Sequence, residues 1–191
     1  MNSRAWMIGL LMIMGVICST LLALVDIQTS PIIERNREIA YMSTVLDVFG
    51  RSFDGDDSEA IIATFNENIE RREEQGLTLF LEKQTGATAV SLEGSGFQGR
   101  IAIVVALDKD TIKGFKVVDQ VETPGLGGRI SEGPFQQSFV GKKVGDGITM
   151  VKTGRAGPAE FDAITGATET SRSLEKILNL GFDKYFEIVG R

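Results

Sequence analysis

The stretch "RIAIVVALDKDTIKGFKVVDQV", residues 100–121, decides how this chain folds. "RIAIVVAL" is apolar at successive positions, the pattern of a strand covered on both faces. "DKD" turns the chain, and "TIKGFKVVDQV" reads as the hairpin partner. Working outward, "LTLFLEK" (77–83) alternates as a further strand. On the other side come a loop, "ETPGLGGRISEGP" (122–134), a short helix at "FQQSFV" (135–140) and a strand at "ITMVKTG" (148–154). A last strand enters "AITGAT" (163–168), and "SRSLEKILNLGFDKYFEI" (171–188) closes as a helix with Leu174, Ile177 and Leu178 on one side. The expected fold class is α+β: an antiparallel sheet with packed helices, forming one domain over residues 77–191.

Residues 30–76 read as a helical connector packing on that domain. Ser30-Pro31 has the form of a helix start, serine as N-cap and proline at the first position. Ile32, Ile39, Met42, Leu46 and Phe49 then keep an apolar face until Gly50. A second helix is expected from Ser58 to Gln75, with Ile61, Ile62, Phe65 and Ile69 inward, "ERREE" (70–74) in solvent, and Gly76 ending it.

Residues 1–29 read as a membrane anchor. Between Arg4 and Asp26 lie 21 residues without a charge, "AWMIGLLMIMGVICSTLLALV". A helix of that length rises roughly 30 Å, enough for the hydrocarbon core, so a span at about 5–25 is expected. The alternative is a cleaved signal peptide, but the exit "LLALVDIQ" is a poor cleavage site. Bulky Ile17 before Cys18 also speaks against a lipoprotein. Gly15, Ser19 and Ala23 form a small-residue stripe, which suits close helix packing or is ordinary span composition. Arg4 precedes the span, while Arg35 and Arg37 follow it at a distance. The positive-inside rule therefore leans towards a single pass through the cytoplasmic membrane, N-terminus in the cytoplasm and the domain outside.

Composition closes several routes. Net charge is −6 without a basic stripe, which argues against nucleic acid as a partner. The chain has no histidine, so the commonest general base and metal ligand are missing. Its single cysteine excludes an internal disulfide and a four-thiolate cluster. Redox chemistry here requires a borrowed organic cofactor.

The tetrapeptide T-G-A-T occurs twice, at 85–88 and at 165–168. After Thr88 the chain continues as a strand, which places that threonine at a strand start or turn. After Thr168 comes a helix, whose first-turn N–H groups and positive dipole end attract a phosphate. Gly166 and Ala167 let a ligand approach the backbone, and Asp162 stands three residues before Thr165. The plain alternative for either copy is a small-residue strand–helix turn capped by threonine, and on local physics the second copy is the better phosphate site. In "ETPGLG", Pro124-Gly125 favours a tight turn whose glycines expose backbone donors, though such turns also end strands everywhere.

"DAITGAT" (162–168) resembles the pattern D-x-x-[ST]-G-A-[TS] of the FMN-binding domain family of bacterial and archaeal membrane electron-transport complexes. "GSGFQGRIAIVVALDKDTIKGFKVVDQVETPGLG" (94–127), "VKTG" (151–154) and "TSRSLEKIL" (170–178) agree with it too, over roughly residues 90–180. The resemblance implies FMN joined through its phosphate to Thr168 by a separate flavin transferase, with FAD as donor. It implies cofactor-binding roles for Asp162, Thr165, Gly166 and Ala167, and for Glu122, Thr123, Pro124, Gly125, Leu126 and Gly127. Thr88, lacking the aspartate and the helix, is the decoy. One departure is the missing tryptophan before the Q-F segment, where Phe135 stands. A threonine hydroxyl needs a base to act as nucleophile, and apart from a carboxylate such as Asp162 the chain offers none, which suits an external enzyme.

Two builds within the family are similar to this chain: the G subunit of Rnf ion-translocating ferredoxin:NAD oxidoreductases and, next, the C subunit of sodium-translocating NADH:quinone reductases. A compact 191-residue chain resembles the first more. Either implies an electron-relaying component of a translocase without its own catalytic or metal site, partnered by membrane, iron–sulfur and flavin subunits. An anchored accessory or regulatory FMN-domain protein without electron transfer is the alternative from another class.

Overall fold

The computed structural model describes residues 3–51, 57–152, 154 and 156–190. These residues fall in two compact units, Met1–Ala40 and Tyr41–Arg191. The first is helical throughout its described length. It is the larger part of α1 (Ser3–Val48), whose apolar side chains from Trp6 to Ile27 are exposed. Among the described residues this is the one helix long and apolar enough to cross a membrane.

No new helix starts at Pro31. That proline lies inside α1, which runs through it unbroken. Proline cannot donate to the carbonyl one turn back, normally a cost of about 3 kcal/mol in a helix interior. The acceptor it orphans is the carbonyl of Ile27, itself an exposed residue, so solvent can take it.

The second unit is built on a five-stranded antiparallel meander: β1 (Ile69–Glu74), β2 (Leu77–Glu82), β3 (Thr88–Ser95), β4 (Arg100–Asp108) and β5 (Thr111–Gln120). The opening hairpin is β4–β5, with Asp108 opposite Thr111. Seven consecutive residues of β4, Ile101 to Leu107, are buried, so both faces of the strand are covered. On one face Leu79, Val90, Leu92, Ile103 and Val105 join Leu174, Leu178 and Phe182 of the closing helix α4 (Thr168–Val189) in a single cluster. On the other, Phe80 meets Tyr41 and Phe65 with ring centroids 5.7 and 6.1 Å apart. Phe65 belongs to α2 (Ser58–Asn68) and Tyr41 to the last turns of α1.

The helix expected to Gln75 ends at Asn68, and "ERREE" is part of strand β1 instead. Two features override the helical pattern. Gln75 and Gly76 both have positive φ, +49° and +78°, the two-residue turn whose twist suits a hairpin. Second, β1 is the sheet edge, and its charged side chains discourage another strand from pairing there.

After β5 come a 3-10 turn (Gly127–Ser131), the short helix α3 (Gly133–Gln137), and β6 (Thr149–Val151), which pairs in parallel with β7 (Glu160–Asp162). Phe115, Phe135, Phe139 and Phe161 pack ring against ring beneath these segments. Phe135, at the place of the expected tryptophan, thus commits its ring to Phe139 and Phe161. Of "VKTG", Thr153 lies outside the described residues.

Candidate functional site

The second T-G-A-T links β7 to α4. Ala163 N–H donates to Val151 C=O (2.8 Å), so the chain leaves the β6–β7 pair just before the motif. Thr165 and Gly166 form a turn in which Gly166 has φ +82°, a value that favours glycine. Ala167 N–H closes the turn on Ile164 C=O (2.9 Å), and α4 begins at Thr168. Ser171 locks this geometry from within the helix. Its hydroxyl donates to Ala167 C=O and accepts from Ile164 N–H, each at 3.0 Å.

Four hydroxyls crowd these seven residues, and hydrogen bonding separates them. Ser171 is fully buried and used twice. Thr170 is buried and donates to Glu122 Oε2 at 2.7 Å. Among the described residues, the side chains of Thr165 and Thr168 have no hydrogen-bond partner. Thr165 sits in the exposed turn, whereas half-buried Thr168 is the first residue of α4. The residue before it, Ala167, has no side-chain acceptor to cap the helix, so the positive end of the dipole and its first N–H groups are left for another acceptor.

The "ETPGLG" loop meets this turn. Glu122 N–H donates to Gln120 Oε1 (2.6 Å), and its carboxylate points inward, accepting from Thr170 and from Gln98 N–H (2.9 Å). Thr123 C=O accepts from Leu126 N–H (3.1 Å) and Gly128 N–H (3.0 Å), curling the loop so that Thr123 to Leu126 are exposed. Gly125 has φ +75° at its tip. Leu126 leans on Gly166, and buried Gly127 lies against Glu122 and Thr170. Asp162 is exposed at the end of β7, opposite Val151, and makes no side-chain hydrogen bond among the described residues.

Three large apolar side chains stand in solvent along this edge: Phe97 (62% exposed), Val121 (60%) and Leu126 (45%). Val121 packs beside Gly99 in the β3–β4 turn. A flavin mononucleotide asks for these features: a free hydroxyl, an uncapped helix end for the phosphate, a turn open to the backbone, and apolar surface for a ring. The residues present fit the group.

The first T-G-A-T does different work. It is the β2–β3 turn, with Gly86 N–H donating to Glu82 C=O (2.8 Å) and Glu82 N–H to Ala87 C=O (2.9 Å). Buried Glu82 takes Arg51 Nε and the Thr85 hydroxyl. Thr88 is a sheet residue opposite Leu81 and Leu107, and it shares a hydrogen bond with Tyr185.

Gln98, Thr170, Ser171, Gly96 and Phe97 escaped the reading of the sequence. A polar residue three positions after the helix start and a Gly-x-x-Gly turn were the available signals, and both are common elsewhere. A cleft of about 1220 Å³ lies along Asp47–Gly50, the β4–β5 turn, the first T-G-A-T and the end of α4, and does not include Thr168 or the 122–127 loop.

The chain is similar to known proteins. The pattern of the FMN-binding domain family matches residues 96–182. The chain is 31% identical over 189 residues to the G subunit of the ion-translocating oxidoreductase complex of Cereibacter sphaeroides, covering 93% of this chain and 84% of that protein. It is 30% identical over 118 residues to the G subunit of the Na(+)-translocating ferredoxin:NAD(+) oxidoreductase complex of Acetobacterium woodii, covering 59% of this chain and 56% of that one. Against the C subunit of the Na(+)-translocating NADH-quinone reductase of Vibrio campbellii, identity is 29% over 166 residues, 80% of this chain and 62% of that one. The chain therefore spans little more than half the length of some of these relatives. The crystal structure of the C subunit of the Na(+)-translocating NADH-quinone reductase from Parabacteroides distasonis superposes with a TM-score of 0.70 at 22% identity. It covers 84% of this chain and 96% of that one, and shares the fold.

Proposed function

The chain belongs to the FMN-binding domain family, and we propose that it is a membrane-anchored protein that carries FMN on Thr168 and relays electrons inside an ion-translocating oxidoreductase complex. The observation that carries the reading is the uncommitted Thr168 hydroxyl at the uncapped start of α4, within the segment matched to the family. Thr170 and Ser171 are held by internal hydrogen bonds. Thr165 also has no side-chain partner among the described residues, but it lies before the helix.

Attachment requires a partner enzyme. Its base takes the Thr168 proton, the oxygen bonds to the FMN phosphorus of FAD, and the pyrophosphate bond breaks to release AMP. The first-turn N–H groups of α4 would hold the phosphate, and Gly166, without a side chain, would leave its backbone open beside it. The exposed side chains of Leu126, Val121 and Phe97 would offer the ring an apolar shelf. When bound, the isoalloxazine supplies reversible electron uptake and release, and the protein contributes attachment and orientation. A tether also removes the need for a closed pocket, because the effective concentration of an attached group is already high.

Membrane attachment rests on the exposed apolar length of α1. We place the N-terminus in the cytoplasm and the flavin domain on the opposite side, and take residues 77–191 as the flavin-carrying part of that domain, with Ile69–Glu74 of the preceding 30–76 segment adding the edge strand of its sheet. Within the family we favour a G subunit of the Rnf type, because one such relative aligns along 84% of its own length. The second reading, the C subunit of a sodium-translocating quinone reductase, is supported by the alignment to the Vibrio campbellii C subunit over 80% of this chain. The membrane proteins that co-purify decide between them.

The test uses the full chain co-expressed with a flavin transferase. A denaturing gel under ultraviolet light should show a fluorescent band that is lost in Thr168→Ala and kept in Thr88→Ala. The peptide spanning 162–172 should carry the added mass of FMN less water. An unmodified peptide from wild-type protein would overturn the reading.

A further inference from the structure

We propose that Glu122 is a positioning residue: its buried carboxylate clamps the first turn of α4 through Thr170, and so presents Thr168 for modification. The proposal rests on Thr168 being the attachment point. The hydrogen bonds that support the clamp do not depend on that point.

Glu122 is 5% exposed, and no lysine or arginine pairs with it among the described residues. A buried carboxylate without a counter-charge persists only where hydrogen bonds satisfy it. Oε1 takes the Gln98 N–H of the β3–β4 turn, and Oε2 takes the Thr170 hydroxyl of α4. The positive end of α4 adds to the stabilisation. One side chain on the 122–127 loop thereby joins two other segments of the chain.

Glycines close the fit. A β-carbon on Gly96 would run into Oε1, and one on Gly127 would stand 2.6 Å from Oε2 and collide with the Thr170 hydroxyl. Backbone therefore wraps the carboxylate on two sides, leaving no slack for the helix to rotate. Both oxygens already accept bonds from inside the protein, which is what lets the group serve as a clamp.

Helical geometry carries the effect to Thr168. Successive residues turn by about 100°, so Thr168 and Thr170 point roughly 200° apart. Holding Thr170 against Glu122 turns Thr168 away from the core. It also withdraws the neighbouring hydroxyl from competition and keeps Leu126 on Gly166.

The experiment compares full-length wild type with Glu122→Ala, Glu122→Gln and Thr170→Val. One readout is covalent flavin per chain after co-expression with the transferase. The other is amide hydrogen exchange of unloaded protein in peptides covering 120–128 and 163–172, set against 174–189. Glu122→Ala and Thr170→Val should load at least about tenfold less, since misplacing a reacting group by about 1 Å can cost about 100-fold, with faster exchange in the first two peptides only. Glutamine keeps the acceptor for Gln98 and offers an amide that the Thr170 oxygen can accept, so Glu122→Gln should load within about twofold of wild type. Wild-type loading and exchange in Glu122→Ala or in Thr170→Val would overturn the clamp. So would a glutamine variant as poor as alanine. If Glu122→Ala fails to fold, Thr170→Val, which conserves volume, decides alone. If wild type itself takes no flavin, the Thr168 reading falls, and the exchange data still judge the clamp.

Discussion

Leu126 rests on Gly166, so that a β-carbon added to the glycine would lie 3.2 Å from Leu126 Cδ2. This contact joins the two loops that the family resemblance groups together and that lie some forty residues apart in the sequence. Gly166 also has φ +82°. Gly166→Ala therefore meets two penalties, and the backbone one is about 1–2 kcal/mol. The variant should melt lower and load less flavin. Adding Leu126→Ala should relieve the contact and leave the backbone penalty, so thermal melts of the pair should recover only part of the loss.

Gly114 in β5 is a different case. Its φ is ordinary, but a β-carbon there would strike the carbonyl oxygen of Val48. Backbone cannot step aside as a side chain can. Gly114→Ala should cost about 1–3 kcal/mol or more by overpacking. Gly133, with open space around it, is the control, and Gly133→Ala should stay within about 0.5 kcal/mol of wild type. Urea unfolding of both variants measures the difference.

The reach of the sequence follows from how local each signal is. The β4–β5 hairpin was legible because seven buried residues and a two-residue turn are written in consecutive letters. "ERREE" misled because a charged run carries no period, and the turn at Gln75-Gly76 that settles it is short. Pro31 misled because its usual penalty assumes a buried acceptor. The T-G-A-T turn before α4 was legible from its flanks. The Glu122–Thr170 bond was not, since 48 residues separate partners that only the sheet brings together.

Tyr185 gives the first T-G-A-T copy a structural duty, through its hydrogen bond with Thr88. Burial pushes the Tyr185 hydroxyl above its ordinary value of 10.0, while the Thr88 bond draws it partly back. A raised folded pKa means stability that is intact below the unfolded value and lost as pH rises through the folded one. Wild type should therefore lose stability from about pH 10 upward, and Tyr185→Phe should lose less over that range. Urea midpoints at about pH 8 and about pH 11 check this, and a parallel loss in both proteins would contradict it. Thr88→Ala should lower stability at neutral pH while keeping its flavin.

Polar residues at every fourth position of α4 replace a missing strand beside β6 and β7. Ser171 accepts from Ile164 N–H (3.0 Å), Glu175 from Met150 N–H (3.1 Å), and Asn179 from Ile148 N–H (2.8 Å). Asn179 also donates to Ile148 C=O (3.0 Å), so its amide copies both bonds of a strand neighbour. Removing it leaves two backbone groups of buried Ile148 unpaired, at a cost of about 1–3 kcal/mol. Asn179→Ala and Asn179→Leu should both fall in that range, the leucine no better despite its larger apolar area. Asn179→Asp keeps the acceptor for Ile148 N–H but sets a carboxylate against Ile148 C=O, so it too should destabilise near neutral pH. Acid should restore part of that loss, because a protonated carboxyl donates where the amide did. Denaturant titrations of the three variants at about pH 7 and about pH 4, each referenced to wild type, separate the lost donor from the lost acceptor.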